Sequence, residues 1–87
     1  MQLKIFSIYD EAVQAYNTPF FMLTRTEAMR AFENMARDEN TNISKHKSDY
    51  HLYYLGVYDN ATGLVKQDDG ITDLGSADLF KDEEQQT

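Results

Sequence analysis

The chain reads as an α+β domain, an antiparallel four-stranded sheet with one helix packed on one face, in the order β-β-α-β-β. Three observations predict it. Short runs rich in β-branched and aromatic residues flank a single stretch of helical periodicity. That stretch has one apolar stripe, so it covers one sheet face. The last two strands are joined by a short Gly-containing turn, which makes them a hairpin.

Leu3 to Tyr9 forms the first strand, ended by Asp10-Glu11. The link DEAVQAYNT is long for a tight hairpin, and the part around Val13 to Tyr16 can pair with that strand. Pro19 has no backbone donor and opens Phe20-Phe21-Met22-Leu23, a strand that begins at or just after the proline. Thr24-Arg25-Thr26-Glu27 has capping-box spacing: the Thr24 hydroxyl accepts from the Glu27 N–H, and the Glu27 carboxylate reaches back to the Thr24 N–H. A helix follows to about Asp38, with Ala28, Phe32, Met35 and Ala36 on its apolar face and Glu33–Arg37 as an i,i+4 pair. Asn40-Thr41-Asn42 stops it. The polar stretch ISKHKSD leads to the strand Tyr50 to Tyr58. Asp59 to Gly63 turns the chain, with Gly63 supplying positive φ, and Leu64 to Gln67 returns. Asp68-Asp69-Gly70 turns it again, and Ile71, Leu74, Leu79 and Phe80 tuck a short last segment against the body. The domain spans 1–80, and KDEEQQT, 81–87, is a flexible acidic tail.

Eighty-seven residues make one domain with a small core. With no cysteine, the chain has neither a disulfide framework nor a Cys-based zinc site. MQLKIFSIYDE lacks the long apolar run of a signal peptide or membrane span, so the expected location is the cytoplasm, without a membrane partner. The net charge of −7 opposes nucleic acid, whose phosphates supply most non-specific affinity. Its distribution softens that: residues 25–51 are neutral and hold five of the eight basic side chains, whereas residues 52–87 carry −6. There is no P-loop, no Gly-x-Ser-x-Gly and no nucleophile–base spacing, so no enzyme and no cofactor is expected. His46 and His51 are five apart, which does not define a metal site.

The segment DYHLYYLGVYD does not alternate. Simple parity puts Tyr50, Leu52, Tyr54, Gly56 and Tyr58 on one face and His51, Tyr53, Leu55 and Val57 on the other. If the helix covers the second set, Tyr50, Tyr54 and Tyr58 stand open. An open tyrosine row suits base stacking by single-stranded nucleic acid, a homodimer interface or second small core, or a host protein. Gly56 marks a bulge or a close backbone approach, and a bulge shifts the parity after it. Lys45, His46, Lys47 and His51 interleave base with aromatic, as a nucleic-acid groove needs, and Arg25 and Arg30 can extend the patch.

The opening IFSIYD…AY…PFF, the helix EAMRAF and the stretch DYHLYYLGVYDNATG resemble the small non-structural protein of gokushovirus-like microviruses, phages with single-stranded DNA, over roughly residues 3–75. The resemblance implies a DNA-binding protein acting in viral genome replication in the host bacterium, with no catalytic residues to carry over. The expected nucleic-acid-binding residues are Arg25, Arg30, Lys45, His46, Lys47, Tyr50, Tyr54 and Tyr58. The alternative is an acidic interaction protein, a DNA mimic that captures a host replication or defence factor through Asp68, Asp69, Asp73 and their neighbours.

Overall fold

In chain order the elements are β1 (Gln2–Asp10), β2 (Ala15–Tyr16), β3 (Phe20–Met22), α1 (Arg25–Arg37), the one-turn α2 (Asn42–Lys45), β4 (Tyr50–Asp59), β5 (Leu64–Lys66) and β6 (Thr72–Ser76). Short 3₁₀ turns occupy Lys47–Asp49 and Ala77–Phe80. This computed structural model describes residues 1–80, so the expected tail, 81–87, lies outside the described residues.

β1 and β4 run antiparallel from Gln2 opposite Asp59 to Asp10 opposite Tyr50 and form the spine of the sheet. The free edge of β1 is shared between β3, opposite Lys4 to Phe6, and β2, opposite Tyr9 and Asp10. The free edge of β4 is shared in the same way between β6, opposite His51 to Tyr54, and β5, opposite Val57 to Asp59. The α+β class and antiparallel sheet agree with the sequence, but among the described residues the strands number six. Four positions across are filled, the outer two each by a pair of short strands. The tucked C-terminal segment is β6, a true strand.

Thr24 caps α1 by accepting from the Glu27 N–H at 3.1 Å. The reciprocal half differs from the expected box: the Thr24 hydroxyl itself meets Glu27 Oε1 at 3.3 Å. Ala28, Phe32 and Ala36 are fully buried, one per helical turn. The Thr41 hydroxyl donates to the carbonyls of Met35 and Asp38, which satisfies the helix end, and accepts from the Ser44 N–H to start α2. No described helix is long and apolar enough to cross a membrane.

The face under α1 corrects the expectation from simple parity. Cross-strand pairing puts Lys4, Phe6 and Ile8 of β1 on the same side as Tyr50, Leu52, Tyr54 and Val57 of β4. Phe6, Leu52 and Tyr54 are 0% exposed and belong to one core cluster with Phe32, so the helix covers Tyr50 and Tyr54. The reason is the polar content of the two faces. The other side of β4 carries His51, which is paired with Glu11 and Asp73, and burying its imidazole under the helix would cost desolvation. The buried tyrosines keep partners: Tyr54 donates to Asp68 Oδ1 at 2.7 Å, and Tyr50 lies beside Asp10.

Leu55 is the extra residue in the spine, because Phe6 pairs with Tyr54 and Ile5 with Gly56. The bulge returns Val57 to the core side and turns Tyr58 to the opposite one. Gly56, at φ +151°, is required there: a Cβ would sit 2.5 Å from the Lys66 carbonyl oxygen. Gly63, at φ +77°, closes the β4–β5 turn by donating to the Asp59 carbonyl at 2.7 Å, and a Cβ there would meet nothing within 4 Å.

Two outcomes follow. Gly56→Ala lowers the free energy of unfolding by about 1–3 kcal/mol in urea titration, through overpacking against backbone. Gly63→Ala costs less, about 1 kcal/mol for the left-handed φ alone, and equal losses would contradict the close approach at Gly56. The second outcome concerns alkaline pH. Burial, then the bond to Asp68, pushes the Tyr54 hydroxyl up from 10.0 to about 12, and the same bond holds the Asp68 carboxyl below its ordinary range. The unfolded chain gives up this proton first, so the stabilisation is complete below pH 10 and is lost as pH rises through about 12. Tyr54→Phe removes that part of the decline. An identical alkaline profile for the variant would contradict it.

Candidate functional site

The sheet face away from α1 is built from alternate residues of the spine: Leu3, Ile5, Ser7 and Tyr9 of β1, and His51, Tyr53 and Tyr58 of β4. Tyr16 joins it opposite Tyr9, and Phe21 opposite Ile5. Its aromatic side chains form two groups. Tyr9, Tyr16 and Tyr53 pack with ring centroids 4.7, 6.0 and 5.4 Å apart, two of the three contacts edge to face. Phe21 and Tyr58 form the second group, 5.9 Å apart and also edge to face. Ser7 lies between them, fully buried, donating to the Asn17 carbonyl at 2.6 Å. That bond ties the β2–β3 connection across the middle of the face.

No described element covers these rings. Tyr16 and Phe21 remain 46% and 49% exposed. Tyr9, Tyr53 and Tyr58 are half-buried, with one another and the sheet as neighbours. Burial pushes the Tyr53 hydroxyl up, and the nearby Asp73, Tyr16 and Glu11 add to the shift.

One end of the face is polar. His51 Nε2 is 3.1 Å from Glu11 Oε1, and Nδ1 is 3.2 Å from Asp73 Oδ2. The imidazole thus bridges the end of β1 to β6, and only the imidazolium donates to both carboxylates. The carboxylates sit on opposite ring nitrogens and do not converge. Among the described residues no group of three or more acidic or His side chains is placed to hold a metal ion.

The residues expected from the sequence divide. Tyr58 reaches the open face through the bulge. Tyr50 and Tyr54 are buried under α1 and do not offer a stacking surface. Arg25 lies over the Tyr54 ring at 4.6 Å and pairs with Asp69 at 3.2 Å, on the helix side. Lys4 is 5.4 Å from the same ring. Arg30 is exposed on α1, and Lys45 and His46 are exposed at α2. The Lys47 ammonium donates to the Phe80 carbonyl at 3.2 Å. The basic residues and the open tyrosines are therefore on different sides of the sheet. Tyr9, Tyr16, Phe21 and Tyr53 were missed. Their signal was the pairing of β1 with β4, which sets Tyr9 and Tyr53 on one face. Of the acidic residues, Asp68 is bonded to Tyr54, Asp69 to Arg25 and Asp73 to His51.

No curated protein and no solved structure matches the chain. Residues 3–80 match the family described as Phage ORF5 protein, which covers both strands of the spine, α1 and every ring of the open face. The chain belongs to the Phage ORF5 protein family.

Proposed function

We propose that this phage protein binds single-stranded DNA in the host cytoplasm during genome replication, by stacking unpaired bases on the open sheet face. The observation that carries the reading is the pair of half-exposed rings, Tyr16 and Phe21, each backed by further aromatics and left without a cover. Every base has a π-face, so such a surface accepts any sequence, as a genome-coating protein must. The supports are membership in a phage family and the resemblance of the tyrosine strand to the non-structural protein of single-stranded DNA phages. Backing rings hold Tyr16 and Phe21 in place before a base arrives, which lowers the ordering cost of binding.

Stacking contributes about 1–3 kcal/mol per base. Tyr16→Ala and Phe21→Ala are each expected to weaken binding of fluorescein-labelled oligothymidine roughly five- to 150-fold in anisotropy titrations. Both side chains are half-exposed, so the unfolding midpoint is expected to move little. Unchanged affinity in both variants, or no binding by the unaltered protein, would overturn the reading.

A further inference from the structure

We infer that the open face recognises the bases of its ligand and leaves the sugar–phosphate backbone in solvent; this rests on the single-strand reading above. The argument is the position of each described lysine and arginine. Lys4 and Lys66 fall on the helix side by register, Lys4 alternating with Phe6 and Lys66 paired with Val57. Arg25, Arg30 and Arg37 belong to α1 and Lys45 to α2, the layer that packs on Phe6, Leu52 and Tyr54. The Lys47 ammonium is held by the Phe80 carbonyl, whose ring packs on Phe32 in that layer. Among the described residues no lysine or arginine is placed on the aromatic face. Its charged groups are Glu11 and Asp73, with His51 between them.

A phosphate laid on this surface would meet two carboxylates and no paired cation, on a chain of net charge −7. A base laid on it meets tyrosine and phenylalanine rings. The face therefore selects strands whose bases are free, and it disfavours duplex, whose bases are stacked inward. It also predicts an unusual salt response. Single-strand binding loses affinity with salt at a slope of about −0.7 for each phosphate neutralised, because counterions are released. With no phosphate neutralised, that slope is near zero. At low salt the repulsion between an acidic chain and a polyanion is least screened, so affinity there is no greater than at moderate salt.

The test compares three ligands of roughly a dozen positions with the full chain: oligothymidine, the same bases on an uncharged peptide backbone, and an abasic deoxyribose–phosphate strand. Isothermal titration is run across a range of salt concentrations. The inference expects the uncharged-backbone strand to bind at least as tightly as DNA and the abasic strand not to bind. It also expects a log–log salt slope for DNA of about zero or slightly positive, and unchanged affinity in Lys45→Gln and Arg30→Gln. DNA binding with a slope steeper than about −2, or loss on Lys45→Gln, would overturn the solvent-exposed backbone while leaving single-strand binding standing, and an abasic strand that binds as well as DNA would overturn the stacking reading as well. If neither DNA nor the uncharged strand binds, both fall. They also fall if light scattering finds a dimer that Phe21→Arg dissociates, since that assigns the face to a second copy.

Discussion

The organisation of this domain depends on one close approach, the Lys66 carbonyl against the backbone of Gly56. Only a residue without a Cβ leaves that space open. The bulge at Leu55–Gly56 there lets two long strands stay paired while β4 changes its facing. Before the bulge, Tyr50, Leu52 and Tyr54 point to the helix. After it, Val57 takes over the inward role and Tyr58 turns outward. A regular strand would have continued the tyrosine row on one face and left Val57 on the other. Tyr58 joins the open set because of one inserted residue.

The two faces then acquire different chemistry. Under α1, aromatic packing among Phe6, Phe20 and Tyr54 is closed at its edge by charge: Lys4 and Arg25 near the Tyr54 ring, Asp68 on its hydroxyl, Asp69 on Arg25. The acidic turn after β5 is thus part of the core's boundary. It explains how a tyrosine can be buried without an orphaned hydroxyl. On the opposite face the rings pack on one another and stop at solvent. Charge is confined to the Glu11–His51–Asp73 end, where it fastens the sheet's edges.

Much of this was legible in the residues. The Thr24–Glu27 spacing located the start of α1, and Ala28, Phe32 and Ala36 its buried stripe. The Asp59–Gly63 turn set the β4–β5 hairpin, and the Tyr50–Tyr58 run set the longest strand. What was not legible was which side of that strand faces in. Apolar side chains on both sides erase the alternation that fixes orientation. The deciding facts are long-range: Asp68 reaching Tyr54 across fourteen positions, and Tyr9 meeting Tyr53 through β1–β4 pairing. Gly56 carried a local hint of the bulge, but its consequence for Tyr58 required knowing that the spine slips by one residue there. Strand β6 was hidden because TDLGS has weak β-propensity and is held by its pairing with β4.

The central claim is that the rings facing away from the helix meet nucleic acid and the buried tyrosines do not. Aromatic-proton NMR during addition of oligothymidine tests it most directly, because a stacked base shifts the resonances of the ring beneath it. The account predicts large shifts at Tyr16 and Phe21, smaller ones at Tyr9, Tyr53 and Tyr58, and none at Tyr50 and Tyr54. Shifts confined to the amides around Arg30 and Lys45, with the open rings silent, would contradict it.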